Sequence, residues 1–274
     1  MKIRIMFLLA LITTVLMSCQ TTSDKPASRL GQKQFDATKS EPQAIRIAEE
    51  VMVALGGYEN FAAINYLSFH FVVEVDSHKT SDWRHDWDRR KNNYRVEGVT
   101  RDGDHLLAVF NLDSRDGVAF KNGQKLEGEE KILLLQRAYG RYINDTFWLL
   151  LPFKLKDAGA VLHYDGAQEI NEVNYDVLRL SYADSVGLTP QNVYRVFVDQ
   201  ATRVVHRWEY FENANAAPAP AWWEQWNTYG KIKLARQRSF EGSDRKILFT
   251  DIVVAAEVDE KIFEVAGISQ AQLF

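Results

Sequence analysis

The sequence predicts a mainly β (α+β) fold, in which a curved antiparallel sheet or incomplete barrel of about 11 strands is closed by two or three helices. Three observations support this prediction. Alternation with period two recurs in short segments, tight turns separate these segments, and only two longer stretches show a helical period. Strands that follow one another through short turns form a meander, and a long meander can curl around the helices that cover it.

The first two helices are predicted directly after residue 40. Ser40 is the expected N-cap, with Pro42 in the first turn, and Gly56-Gly57 ends the helix. Its hydrophobic stripe consists of Ile45, Ala48, Met52 and Leu55. A short turn of helix is expected to follow from Tyr58 to Ala63.

Alternating hydrophobic residues place the strands. The clearest strand begins at Leu67, and its hydrophobic face consists of Leu67, Phe69, Phe71, Val73 and Val75. Further strands are predicted at about 82–89, 93–99, 105–112, 116–121, 160–170, 173–182, 192–199, 203–211, 222–229, 232–240 and 246–256. Asn122-Gly123 is a strong hairpin signal, and residues 214–221, with their two prolines, are predicted to form a loop.

A central helix is predicted from Lys131 to Asn144, where hydrophobic residues recur every three or four positions. The apolar segment Phe147–Phe153 follows, and Pro152 is expected to break it. This segment is either the movable lip of a ligand pocket or a buried connection.

The N-terminus has the layout of a secretory signal. Lys2 and Arg4 precede an apolar run from Ile5 to Leu16, which is too short to span a bilayer, and small Ser18 stands before Cys19, the only cysteine. Leu16-Met17-Ser18-Cys19 resembles the lipobox of bacterial lipoproteins. The alternative is an ordinary secretion signal with a buried Cys19.

The lipobox resemblance implies that Cys19 carries acyl chains such as palmitate and becomes the first mature residue. Gln20 in the next position, where Asp is absent, implies anchoring in the cell outer membrane with the domain in the periplasm. The expected organisation is a signal peptide at 1–18, a flexible tether at 19–40 and a single domain at 41–274.

Charge excludes some partners. Removing Lys2 and Arg4 with the signal leaves 31 basic and 37 acidic side chains, a net charge of −6. A nucleic-acid partner needs a basic footprint, and so does attachment to anionic lipid by charge, so neither is expected. A lone cysteine also provides no disulfide.

No motif of an enzyme is found. The sequence contains no nucleophile elbow, no H-E-x-x-H, no phosphate-binding glycine loop and no dinucleotide fingerprint, so neither catalysis nor a cofactor is expected. The best cluster of metal-ligand types consists of Asp76, His78, Asp82, His85, Asp86 and Asp88. Strand alternation points the carboxylates away from His85, so a solvated charged face is favoured over a metal site.

The order of elements resembles the lipoprotein-sorting carriers and acceptors with the LolA/LolB-like fold, over residues 41–265. The matching segments are Ala54–Gly57, Trp83–Glu97, Asp145–Phe153, Gly187–Pro190 and Phe249–Ile252. The resemblance implies an incomplete barrel closed by helices, whose concave apolar face receives acyl chains. It also implies an inward arginine that holds a loop or ligand carbonyl, a role for which Arg95 has the wrong alternation.

Ten aromatic residues are the candidates for contact with a hydrophobic ligand: Phe69, Phe71, Trp83, Trp87, Tyr94, Phe110, Trp148, Trp208, Tyr210 and Trp226. Alternation indicates that many of them share a face with one another and with Trp222. The expected function is a lipid-anchored periplasmic binding protein that shelters an acyl chain or a lipoprotein's lipid. The alternative is a non-catalytic scaffold with a filled core, which docks an envelope protein near the loop at 214–221 through an exposed Trp223.

Overall fold

A single antiparallel sheet of thirteen strands forms the body of the domain. The computed structural model describes residues 35–183, 188–213 and 215–265. The first six strands are β1 (Tyr66–Val75), β2 (His78–Asp88), β3 (Asn93–Val99), β4 (His105–Asn111), β5 (Gly117–Lys121) and β6 (Gln124–Lys125). The remaining seven are β7 (Ala160–Ile170), β8 (Val173–Tyr182), β9 (Val193–Asp199), β10 (Val205–Phe211), β11 (Ala219–Tyr229), β12 (Ile232–Phe240) and β13 (Lys246–Ala255).

The helices are α1 (Pro42–Ala54), α2 (Tyr58–Ala62) and α3 (Gly128–Lys154), with two short 3-10 helices at Ala37–Lys39 and Glu260–Phe263. The compact unit that contains the sheet runs from Lys33 to Phe274. No helix in the described part of the chain has the length and hydropathy needed to cross a bilayer.

The strand order places the first and last strands side by side. It runs β6-β5-β4-β3-β2-β1-β13-β12-β11-β10-β9-β8-β7, so β1 and β13 pair at the centre while β6 and β7 are the edges. Helix α3 connects one edge to the other, and it packs on β4, β5 and β12 along its way. The sheet is therefore open and curved beneath helices, which confirms the predicted fold class.

The core lies between the sheet and helices α1 and α3. From β1, Leu67, Phe69 and Phe71 enter this core as the alternation predicts, whereas Val73 is only partly buried. The inward faces of β7 to β13 supply much of the rest. A smaller cluster lies between β2, β3, β4 and the first half of α3, and a third lies on the opposite face of the sheet.

Helix α1 differs from the prediction in its cap and its stripe. Its N-cap is Glu41, because Ser40 Oγ accepts a hydrogen bond from the amide of Leu162 instead of capping the helix. The buried stripe consists of Ala44, Ile47, Ala48, Val51 and Leu55, so the predicted Ile45 and Met52 lie at its margins. The predicted end at Gly56-Gly57 is confirmed, with both residues at positive φ.

The prediction that the central helix ends at Asn144, before Phe147, was wrong. Helix α3 continues through Phe147–Phe153 for 27 residues in all, with Pro152 inside its last turn. A proline this close to a C-terminus removes one helical hydrogen bond, and the carbonyl that loses it is that of Trp148, four residues earlier. The segment is therefore the last part of a helix, with Leu149 to Phe153 buried, and not a separate connection.

Two smaller differences concern short segments. The two-residue strand β6 was missed because polar Gln124 and Lys125 show no alternation. Strand β11 begins at Ala219, so the predicted loop at 214–221 is shorter than expected, and Ala214 lies outside the described residues.

The predicted N-terminal segments fall mostly outside the described residues. These are the signal peptide, Cys19 and residues 20–34 of the tether, together with Gly187 of one resemblance motif. The last tether residues are described, and Phe35 packs against the main core while residues 37–39 form a 3-10 helix.

Candidate functional site

Aromatic side chains fill the space between the centre of the sheet and α3. The ring of Trp148, on α3, lies with its centroid 4.2 Å from that of Trp208 on β10. The ring centroid of Phe147 lies 6.0 Å from that of Trp208 and 5.2 Å from that of Tyr194. Beneath α3, Phe69 and Phe71 pack against Phe249 of β13. At its centre, the concave side is therefore occupied by side chains.

All ten aromatic candidates belong to the two clusters on this side of the sheet or pack against them. Phe69, Phe71, Trp148, Trp208, Tyr210 and Trp226 lie in or against the main cluster. Trp83, Tyr94 and Phe110 form part of the smaller cluster, and Trp87 touches both. The structure thus brings together the residues that alternation placed on one face.

The tryptophans of β11 do not all face the side of the sheet that the alternation predicts. Trp223 is buried in the main core, so the prediction that it is exposed for docking was wrong. Trp222 faces the other side, where the guanidinium of Arg207 lies 5.6 Å from its ring. Gln225 has a positive φ of 56°, and this irregularity returns Trp226 to the inner side, stacked on Trp223.

A buried polar group joins α3 to the first half of the sheet. His85 Nε2 lies 3.1 Å from Asp145 Oδ2, and both side chains are almost fully buried. His85 Nδ1 is 2.8 Å from the hydroxyl of Tyr94, whose pKa is raised well above its usual value by burial and then by the charge of Asp145. Sequence reasoning did not identify Asp145 as a buried group, because it stands between polar Asn144 and Thr146.

Arg141 continues this polar group towards the surface. Its guanidinium is 3.4 Å from Asp145 Oδ2, and it stacks over the ring of Trp83 at 3.6 Å. Burial lowers the pKa of Arg141, and the nearby charge of Asp145 only partly offsets this effect. The guanidinium of Arg141 therefore links the buried pair of His85 and Asp145 to the indole of Trp83.

One arginine of β12, Arg238, points into the core. Its side chain is fully buried, and it donates hydrogen bonds to the carbonyl oxygens of Trp148 and Ala235 at 2.7 and 3.1 Å. Its guanidinium also lies 3.5 Å from the ring of Trp223. Arg95 instead pairs with Glu97 and donates to the carbonyl of Ile262.

A cavity of about 550 Å³ lies at one end of the concave side, next to the smaller aromatic cluster. Its lining comes from β1, β2, the end of β3 with the following turn, α3 and the turn before β13. The lining residues are Val73, Val75, Thr80, Ser81, Trp83, Val99, Thr100, Arg101, Arg141 and Arg245. Of the ten aromatic candidates, Trp83 is the one that lines this cavity.

Gly98 explains how Trp83 forms the floor of this cavity. Gly98 is the cross-strand partner of Trp83, and a Cβ on it would lie 2.7 Å from the indole ring. The missing side chain lets the indole lie flat across β3, with Arg141 stacked on it. The floor is therefore a layered arrangement of backbone, indole and guanidinium.

A second cavity, of about 370 Å³, lies between α1 and the turn after β9. Its lining carries both signs of charge, and Arg203 forms an ion pair with Glu50 at 3.0 Å within it. Paired charges leave little to attract a ligand. The cavity over Trp83 is the better candidate site.

The predicted cluster of metal-ligand residue types is dispersed. Asp86 accepts from the hydroxyl of Tyr66 and pairs with Arg84, while Asp88 accepts from turn amides. His70 contacts Asp82 across the strands. Within residues 35–183, 188–213 and 215–265, no three His, Cys, Asp or Glu side chains are grouped to hold a metal ion.

Comparison with known proteins gives structural neighbours only. No family model and no curated protein matches the sequence. A crystal structure of a DUF1329 family protein from Desulfovibrio piger is 9% identical, with a TM-score of 0.48, and the match covers 81% of this chain and 98% of that chain. A LolA superfamily protein from Nitrosomonas europaea is 14% identical, with a TM-score of 0.46 and coverage of 81% and 97%. The chain is similar to these proteins, and its own strand pairing establishes its architecture.

Proposed function

We propose that the protein is a lipid-anchored envelope protein whose domain binds an acyl-bearing ligand on the aromatic side of its sheet. The observation that carries this proposal is the cavity of about 550 Å³ over Trp83. Small-ligand sites are concave, mostly apolar and about 300–1,000 Å³ in volume, with a few polar groups that fix orientation. The cavity has this volume and a concave form, and its lining combines the apolar side chains of Trp83 and three valines with a larger polar part. Binding requires no catalysis.

Hydrocarbon burial supplies the driving force for this binding. Each buried methylene contributes about 0.8 kcal/mol, so even a short stretch of chain against Trp83 and Val73 gives several kcal/mol before ordering costs are subtracted. A longer chain reaches the central aromatic residues only if the C-terminal part of α3 moves, because Trp148 lies directly against Trp208.

The ligand can be tested with the compact unit, residues 33–274, produced in the periplasm with a cleavable signal. We expect native mass spectrometry to detect co-purified lipid. The Trp83→Ala variant should retain less of it, because the floor of the cavity is lost. Trp222→Ala is the matched control, since it removes an indole from the opposite side of the sheet. Lipid-free protein, or equal retention by both variants, would contradict the proposal.

The anchor is proposed from the sequence around Cys19, with attachment to the outer membrane and the domain in the periplasm. Two or three acyl chains hold a protein on a bilayer durably, because membrane affinity grows with each buried methylene. An alkyne analogue of palmitate should label the wild-type chain, and Cys19→Ser should abolish the label and release the protein from membranes. Labelling of the Cys19→Ser variant would refute the anchor while leaving ligand binding untouched.

A second candidate function is a non-catalytic interaction protein. The filled centre of the concave side favours it, because a packed core needs no ligand. The outer side then becomes the docking surface, and partly exposed Trp222 is a candidate contact there. A photo-crosslinking residue at position 222 should capture one envelope protein, and absence of any adduct would argue against this function.

A further inference from the structure

The cavity over Trp83 has a charge opposite to that of the whole protein. The chain has a net charge of −4, yet the ten residues that line this cavity include three arginines and no carboxylate. Positive charge gathered in a concave, partly apolar site attracts anions more strongly than the same charge on an open surface. The lining therefore favours a negatively charged ligand.

Two of the three arginines are available to bind it. Arg141 is already engaged, since it stacks on Trp83 and lies near Asp145. Arg101 and Arg245 are exposed, and no carboxylate of the described residues lies within 4.0 Å of either guanidinium. Arg245 does contact the ring of Phe240, with its guanidinium 5.1 Å from the ring centroid. An unpaired guanidinium presents parallel N–H donors that match a carboxylate or a phosphate.

The strand pairing brings these two arginines to the same end of the sheet. Arg245 immediately precedes β13, whose first residue, Lys246, pairs with Glu74 of β1. Arg101 follows β3, whose partner strand β2 pairs with β1 on its other side. The two turns therefore approach the cavity from opposite sides of β1 and β2.

Besides the arginines, the lining contains polar Thr80, Ser81 and Thr100 and four apolar side chains, on which a chain would lie. Val75 and Val99 are 38% and 47% exposed at the rim, and both are among the large hydrophobic side chains that the fold leaves uncovered. Below them, Val73 and the indole of Trp83 continue the apolar surface inward. Guanidinium groups at the opening and hydrocarbon beneath them match the two parts of an anionic amphiphile.

We propose that this cavity selects a single-chain amphiphile whose anionic headgroup, a carboxylate or a phosphate, binds Arg101 and Arg245 while its alkyl chain packs on Trp83. The inference rests on the proposed function and specifies its ligand class. Both the headgroup and the chain are required, so a free phosphate ion alone is not the ligand.

Isothermal titration of residues 33–274 with decyl phosphate, below its micelle concentration and at low salt, tests the inference. We expect Arg101→Gln and Arg245→Gln each to weaken binding about tenfold, because each removes a charge-assisted hydrogen bond. Arg236→Gln is the matched control, since it neutralises an exposed arginine of β12 that does not line the cavity. Added salt should weaken binding of decyl phosphate.

Two comparison probes separate the head from the chain. Inorganic phosphate should bind far more weakly than decyl phosphate, and decyl maltoside should bind weakly and equally to wild type and both arginine variants. Tight binding of inorganic phosphate would indicate a simple anion site, and tight binding of decyl maltoside would show that charge is not recognised. Either result overturns the inference, as would failure of decyl phosphate to bind. Co-purified lipid that depends on Trp83 would still support the proposed function.

Discussion

Arg238 donates a hydrogen bond at 2.7 Å to the carbonyl oxygen of Trp148, which is the carbonyl that Pro152 leaves without its helical partner. A buried guanidinium from β12 thus replaces the missing N–H of α3. Burial lowers the pKa of Arg238 well below its usual value, which shows how costly this position is for a charge. The arginine stays because a buried carbonyl without a donor is also costly.

This relationship predicts coupling between positions 152 and 238. Arg238→Met should lower the free energy of unfolding by about 2–4 kcal/mol, since it leaves the Trp148 carbonyl unsatisfied. Pro152→Ala restores an N–H to the helix, so it should stabilise the Arg238→Met variant more than it stabilises the wild type. Urea unfolding of the four proteins measures the difference, and strictly additive effects would contradict the assigned role.

The buried pair of His85 and Asp145 gives a second prediction. Asp145→Leu alone should destabilise the domain by about 3–5 kcal/mol, because it leaves buried polar partners behind. The double variant His85→Leu, Asp145→Leu should be more stable than the sum of the two single variants predicts, by about 1 kcal/mol or more. Thermal or urea unfolding provides the measurement. A double variant as unstable as that sum would show that the pair is not coupled.

Gly98 and Gly140 make a matched pair for a third prediction. A Cβ at Gly98 would lie 2.6 Å from the carbonyl of Asp82 as well as against Trp83, whereas one at Gly140, in α3, meets nothing within 4 Å. Gly98→Ala should therefore cost about 1–3 kcal/mol and displace Trp83, while Gly140→Ala should stabilise α3 by about 0.5–1 kcal/mol. Equal stabilities of the two variants would argue against the layered floor of the cavity.

Stability at acid pH gives a fourth prediction. Burial raises the pKa of Asp176, but hydrogen bonds from Arg203, Gln200 and Tyr164 outweigh it, and the pKa falls below its usual 3.8. The stabilisation is therefore fully present above pH 3.8 and is lost as the pH falls through the lower folded value. Asp176→Asn should reduce stability at pH 7 by about 1–3 kcal/mol, and the difference from wild type should shrink as the pH falls below 3.8. Exposed Asp116→Asn is the control, expected to change little at either pH.

Most of the sheet could be predicted because short segments of alternating or strongly hydrophobic residues are separated by clear turn signals. The predicted bounds 93–99, 173–182 and 232–240 are those of β3, β8 and β12. In β3 one face enters a core, so burial and side-chain pattern have the same period, whereas both faces of β8 are buried. The aromatic candidates were grouped correctly for the same reason, except that Trp226 faces inward only through the irregularity at Gln225. Trp222, which alternation placed with them, faces the other side.

What could not be predicted depends on contacts between distant segments. Pro152 indicates the end of a helix unless a donor reaches the freed carbonyl, and only the packed structure places Arg238 there. The cavity likewise depends on Arg101 and Arg245, which lie in separate turns. A local pattern carries no information on which turns meet, so this part of the candidate site was invisible in the sequence.

The pairing of β1 with β13 governs the order in which this domain can be assembled. The central ladder joins Leu67 to Val254, close to the two ends of the described chain. A chain that emerges N-terminus first therefore holds β1 with one edge unpaired until its final strand arrives. Such distant pairing makes folding slow, because a long loop must close before its contacts form. The central ladder can therefore be completed only when the last strand of the domain is available.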